Sequence, residues 1–211
     1  MNYLNFNDEE LTPELKELSL LEVRNVCLGC YNCDLAKTRT NVVFSDGNAY
    51  APVMLIGEAP GADEDASGVP FVGRAGKLLN QLMDECGINR DTDLYVCNTV
   101  KCRPPENRDP KPEEKFACEK YLEAQINIVR PKLIVLCGAT AAKNFLGDDI
   151  KISQIRGNKY MLFDKIPATV IFHPSYLLRN HSEEVNSPRW LTRKDLKAVK
   201  AFIDKIENDC K

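Results

Sequence analysis

The sequence has no surplus of positive charge: its 28 lysines and arginines face 31 aspartates and glutamates. That balance excludes a protein held on nucleic acid by net charge alone. Long apolar runs are missing as well. The nearest approach, Leu133 to Ala142, is broken by Gly138 and Thr140 and falls far short of the roughly 20 residues that span a bilayer. The first residues, MNYLNFNDEE, have neither a basic n-region nor an apolar h-region, so a secretory signal is not expected and the cytoplasm is the expected compartment. Repeats, linkers and low-complexity segments are also lacking. With 44% hydrophobic residues the chain can bury a core, and residues 1–211 read as one domain. Nine cysteines are too few for a disulfide scaffold of this length, and their number is odd. In a reducing compartment they are buried small hydrophobes, metal ligands or nucleophiles.

Six acids and one base fall in the first 22 residues, with Leu11, Leu15, Leu18 and Leu21 at helical spacing. An acidic amphipathic helix over residues 1–24 is the expectation. Compact apolar runs at 52–58, 94–98, 133–137 and 168–173 read as buried strands. Helical periodicity fills 75–86, 113–129 and 194–208. Strands alternating with helices predict an α/β fold, a three-layer αβα sandwich around a central, mainly parallel four-stranded sheet. Ligands of such sheets gather at the carboxyl ends of the strands. Here those ends carry Glu58, Asn98, Gly138 and His173, the last being one of only two histidines.

Cys30 and Cys33 are three apart, close enough in a tight turn to share one metal centre. Cys102 and Cys118 are the other pair, facing one another across a proline-rich loop. Four thiolates suit either zinc or an iron–sulfur cluster. The wide separation of the pairs disfavours a zinc ribbon, whose pairs stand about 15–20 residues apart. Cys27 extends the first pair to a triple run and leaves the choice of ligands open, while Cys86, Cys97 and Cys137 fall on apolar faces and read as core.

Four stretches occur in order: GEAPGADEDASGVPFVGRAGKLLN (57–80), NTVKCRPPENRDP (98–110), RG (156–157) and HPSYLLRN (173–180). Together with the cysteines they resemble the family 4 uracil-DNA glycosylases, enzymes that carry a 4Fe-4S cluster. The resemblance runs from about Cys30 to Lys200. It implies cluster ligation by Cys30, Cys33, Cys102 and Cys118, within residues 30–118, with Leu35, Arg39 and Thr40 in phase with the family and Cys27 spare. The cluster is then structural. The implied activity is release of free uracil from single- or double-stranded DNA, leaving an abasic site for base excision repair.

That chemistry breaks a C–N bond through an oxocarbenium-like state, with negative charge growing on the base. His173 is the candidate donor to uracil O2, Asn98 the reader of N3–H and O4, and Phe71 the stacking ring. Gly57, Glu58, Ala59 and Pro60 are expected at the substrate, with the backbone amides of the Glu58-Ala59-Pro60-Gly61 turn holding the base and the attacking water. The related family 1 enzymes have Asp and an aromatic where this chain has Ala59 and Gly61, so the water-activating group is sought among Glu58, Glu64 and Asp65. Lys101, Arg103 and Arg179, with Arg74 and Arg108, are expected on phosphates, and Leu177 or Leu178 as a wedge in the base stack. The expected molecule is monofunctional and monomeric, with a replication clamp as a further partner. Two rivals stand beside it: a non-catalytic iron–sulfur DNA-binding or replication-accessory module of the same fold, and a sister family that traps its product covalently through a histidine-containing insert. Residues 99–113 hold no histidine, which argues against the second.

Overall fold

A computed structural model describes Leu15 and residues 17–209. Strands with no polar face must be covered on both sides, and the apolar runs therefore dictate the layers. The strands are β1 (Asp46–Gly47), β2 (Val53–Gly57), β3 (Leu94–Asn98), β4 (Leu133–Cys137), β5 (Lys159–Leu162) and β6 (Ile166–Ile171). They form one sheet in the order β1-β3-β2-β4-β6-β5. Every residue of β2, β3 and β4 is buried. β3, β2, β4 and β6 pair in parallel, and these are the four expected strands. The sheet nevertheless has six, because β1 and β5 add antiparallel edges. Neither edge has an apolar run to announce it: β1 is two residues long and β5 is largely exposed.

The helices are α1 (Leu20–Leu28), α2 (Ala62–Ser67), α3 (Arg74–Glu85), α4 (Arg90–Asp93), α5 (Pro112–Val129), α6 (Ala139–Leu146), α7 (Ile152–Ile155), α8 (Pro174–Arg179) and α9 (Pro188–Asp209). Successive strand residues point to opposite faces, and two cores result. Val53, Leu55, Val96 and Val135 pack with Leu79 and Leu82 of α3 and Leu196, Val199 and Ile203 of α9. Met54, Ile56, Tyr95 and Ile134 pack on the other face with Leu122 and Ile126 of α5 and Phe145 of α6. No helix among the described residues is long and apolar enough to cross a membrane.

The expected acidic helix over 1–24 is corrected in its described part. Residues 1–14 and 16 lie outside the described residues, Leu15 is in a turn and Leu18 is not helical. The helix starts at Leu20, where Ser19 and Glu22 form a reciprocal capping box that satisfies the free N–H groups of the first turn. Leu21 is 64% exposed, and Val23 and Cys27 supply the buried face instead. At the other end α9 begins at Pro188 rather than near 194, since proline in a first turn has no hydrogen bond to lose.

The RG dipeptide acquires a structural role. Arg156 Nε donates to Asp195 Oδ2 at 2.7 Å, and its Nη2 donates to Asp195 Oδ1, making a two-pronged pair with Asp195 almost wholly buried. A Cβ on Gly157 would lie 2.5 Å from Asp195 Oδ1, so only glycine lets the pair close. Gly157 N also donates to Val170 O at 2.8 Å. The dipeptide thus pins α9 to β6, two residues before His173. Arg156→Met leaves a buried carboxylate unpaired, which typically costs about 3 kcal/mol and, in a chain of this size, about 6–12 °C in Tm. Thermal unfolding followed by circular dichroism measures it, and a drop of under about 2 °C would make the pair dispensable.

Candidate active site and cysteine cage

Parallel pairing lines up the carboxyl ends of the inner strands. Gly57 sits opposite Asn98 in the β2–β3 register, and Cys137 opposite Ile171 in the β4–β6 register. The residues that follow β2, β4 and β6 therefore emerge beside Asn98 along one edge. A cavity of about 600 Å³ opens there, lined by Glu58, Phe71, Asn98, Gly138 and His173 among others. The four strand ends expected to converge do so.

Gly57 sets how closely the pieces approach. A Cβ there would lie 2.3 Å from Asn98 Oδ1 and 2.5 Å from Phe71 Cζ, so no side chain fits between amide and ring. Phe71 is buried, has the left-handed φ of 56°, and its ring centroid lies 6.5 Å from that of His173. Glu64 helps to hold this strained turn. Its Oε1 accepts from Val72 N at 3.0 Å and Gly73 N at 2.8 Å, and its Oε2 accepts from Gly61 N at 3.1 Å. Both oxygens are thus committed to backbone amides, which corrects the expectation that Glu64 acts on water. Asp65 is likewise committed, accepting from Thr40 N and Asn41 N. Arg90, absent from the sequence reading, adds a second brace by donating to Pro70 O at 2.6 Å while paired with Asp46.

His173 is the N-cap of α8. Its Nδ1 accepts from Ser175 N at 3.2 Å and lies 2.7 Å from Ser175 Oγ. A backbone amide can only donate, so the lone pair is on Nδ1 and the hydrogen on Nε2. Burial first, and the Arg179 cation second, push the imidazole pKa down to about 4, against a smaller pull from Glu64. The ring is therefore neutral at pH 7. Asn98 is 3% exposed, and its side-chain oxygen lies directly over Gly57.

Glu58 extends the β2–β3 junction. Its backbone oxygen accepts from Thr99 Oγ1 at 2.6 Å and Val100 N at 2.9 Å. Burial, and then the Asp109 carboxylate, raise its pKa to about 7, while hydrogen bonding from Thr140 and the charge of Lys115 pull the other way. Thr140, Asp109 and Ser175 escaped sequence reasoning, although Ser175 stands inside the HPSYLLRN stretch at a position suited to fix the histidine.

Two of the residues expected on DNA are misplaced for it. Lys101 is fully buried and Leu177 is 0% exposed within the core that contains Phe71. A charge in the chain's interior reaches no phosphate, and a leucine already packed has no apolar surface left to insert. Leu178 is half-buried, and Arg179 is exposed at the cavity mouth. Arg103 donates to Asn107 Oδ1 at 2.8 Å, and Arg108 grips Glu114 with two hydrogen bonds of 2.6 and 2.8 Å. Tyr176 is 39% exposed, lies beside Phe172 and also lines the cavity.

Beyond the far end of β3 lies the cysteine cage. Cys102 and Cys118 are buried, Cys30 and Cys33 half-buried, and all four pack in one cluster with Cys27, Val23, Leu35 and Phe44. Arg39 Nη1 donates to Cys102 Sγ at 3.3 Å, and Lys101 N donates to Cys118 Sγ at 3.4 Å. Burial pushes the Cys118 thiol up to about 12 and raises Cys102 and Cys33 as well. Among the described residues no three potential ligands converge on a single point as one metal ion would need.

Comparison with known proteins agrees with this geometry. The family model of the uracil DNA glycosylase superfamily matches residues 44–203. A type-4 uracil-DNA glycosylase of Thermotoga maritima is 48% identical over 177 residues, which is 83% of this chain and 90% of the relative. Type-4 uracil-DNA glycosylases of Archaeoglobus fulgidus and Sulfurisphaera tokodaii are each 41% identical, over 76% and 77% of this chain and 83% and 77% of their own. With a neutral histidine, a buried asparagine and a buried aromatic at one cavity, and matches of this extent, the chain belongs to the uracil DNA glycosylase superfamily and within it to the type-4 uracil-DNA glycosylases.

Proposed function

We propose that the chain takes a uracil turned out of DNA into the cavity, hydrolyses its N-glycosidic bond and releases free uracil, leaving an abasic site. The observation that carries this reading is the state of His173, neutral and with its hydrogen on Nε2. As the C–N bond breaks, negative charge gathers on the base. A fixed neutral N–H donor in a dry site stabilises that charge without having to reorganise. Neutral imidazole is too weak an acid to give up the proton, so uracil leaves as an anion that His173 holds at O2.

The remaining side chains divide the other tasks. The Asn98 amide accepts from uracil N3–H and donates to O4, whereas cytosine presents the opposite pattern. Phe71 stacks on the base, and Gly57 leaves the base room at the floor. Glu58, as carboxylate, draws a proton from the attacking water or opposes the positive sugar. Arg179 at the cavity mouth, together with Arg103 and Leu178, remains a candidate for contact with DNA.

Cys30, Cys33, Cys102 and Cys118 would hold a 4Fe-4S cluster. The donor set fits it: four thiols come from three separate segments and pack in one cluster, and thiols lose their protons to a cation that binds them. When bound, such a cluster supplies cross-links between the segment after α1, the exit of β3 and α5, and no chemistry at the base.

The experiment incubates the protein with a uracil-containing oligonucleotide and then applies hot alkali. Strand scission at U but not at T is the expected result. An unshifted band would favour a non-catalytic binding module, and a gel-stable adduct a covalent trap. His173→Ala lowers turnover by two to three decades, about 3 kcal/mol, and Asn98→Ala by at least about tenfold, with the fold retained. Near-normal turnover in either would remove that residue from its role.

Water activation requires ionised Glu58, so turnover climbs as pH rises through about 7 and levels off above it. Asp109→Asn removes a like charge and moves this limb to lower pH, and Glu58→Gln abolishes it. A limb that stays put in Asp109→Asn would take Glu58 off the water. Iron analysis tests the cage: Cys102→Ala loses most of its iron and Cys27→Ala keeps it, whereas the reverse pattern would exchange their roles.

A further inference from the structure

Lys101 lies in an environment that ordinarily forbids a lysine. It is 0% exposed, and its ammonium meets only neutral groups. Nζ donates to Asn98 O at 2.6 Å and to Gln125 Oε1 at 2.5 Å, and lies 6.0 Å from the centre of the Phe44 ring. No carboxylate among the described residues forms an ion pair with it. Gln125 is itself fully buried and cannot turn away, because its Nε2 donates to Phe44 O at 3.1 Å and Tyr95 Oη at 2.9 Å. An uncompensated buried cation is strongly unfavourable. A negative charge close by would offset that cost.

Among the described residues, the cysteine cage is the nearby source of such charge. Lys101 precedes Cys102 in the chain, and its backbone N–H donates to Cys118 Sγ. Its charge is felt at Cys27, Cys97 and Cys118. Thiols that lose their protons to bind iron bring more negative charge than the cluster core offsets. The other end of the same side chain holds the carbonyl of Asn98, the residue whose amide reads the base. We infer that Lys101 is a positioning residue with two roles: counter-ion to the metal-loaded cage, and tether that fixes Asn98 against it, so that cluster occupancy sharpens uracil recognition.

The inference rests on the cluster reading above, and the experiment separates the two. Iron and sulfide content, the cluster's midpoint potential against dithionite and mediators, and KM and kcat on a uracil oligonucleotide are measured for the holoenzyme and two variants. Lys101→Met removes the charge and the tether at similar length. Gln125→Glu keeps the lysine and neutralises it with an internal carboxylate, so it serves also if Lys101→Met does not fold. A cation beside the cluster favours the reduced form, hence both variants should move the potential to more negative values. Lys101→Met should raise KM by tenfold or more with a smaller change in kcat, and Lys101→Arg should restore part of both. A purified native protein without iron and sulfide would overturn the cluster reading and the counter-ion with it. A fully loaded Gln125→Glu protein with native potential would overturn the counter-ion role of Lys101 alone, and a loaded Lys101→Met protein with native KM would overturn the tether.

Discussion

Parallel pairing of β2 with β3 on one side and β4 on the other, continued by β6, is the constraint on which the site depends. β2, β3 and β4 are buried from both sides along their whole length, so their register cannot slip without exposing apolar side chains. Once it is fixed, Glu58, Asn98, Gly138 and His173 leave the sheet side by side. No loop has to search for its position. What the loops do is close distances, and there the chain depends on small residues and on braces: Gly57 admits the amide and the ring to one spot, while Glu64 and Arg90 hold the backbone around Phe71.

Burial then assigns the protonation states. The same loss of solvent lowers the pKa of His173 and raises that of Glu58, because in both it disfavours the charged form. For the histidine the outcome is a neutral donor whose tautomer Ser175 selects. In the case of Glu58 it is a carboxyl that half ionises near neutrality, helped by Asp109. One physical effect thus yields two chemically different groups across a single cavity.

Much of this was legible in the sequence. The four inner strands were recognisable nearly to the residue, since uninterrupted apolar runs leave little choice, and the convergence of their ends followed from topology alone. The edge strands were not, because an exposed strand of two or four residues has no signature apart from the partner it pairs with. Side-chain roles failed where a residue's type is ambiguous. Glu64 and Lys101 sit within or beside the motifs, yet one caps backbone amides and the other is interior, and only the fold reveals which N–H groups or carbonyls face them. Leu177 and Leu178 are adjacent and equally apolar, but a single helical step puts the first in the core and leaves the second half-exposed. Arg156 could be flagged as part of a stretch, while its partner Asp195 lies 39 residues away, beyond any local pattern.

The cage and Asn98 are separated by very little chain. From Asn98 at the end of β3 to Cys102 the backbone crosses Thr99, Val100 and Lys101, and each is tied down: Thr99 and Val100 to the Glu58 carbonyl, Lys101 to Asn98, Gln125 and Cys118. A segment held at every residue transmits displacement rather than absorbing it, because buried packing has discrete arrangements. Glu58 and Asn98 are therefore fastened to the same few residues as the cysteines. Cross-linking those cysteines confines this segment even though no sulfur approaches the base. Were a 4Fe-4S cluster held there, that would be a mechanical reason for an enzyme of hydrolysis, with no electron to transfer, to keep it.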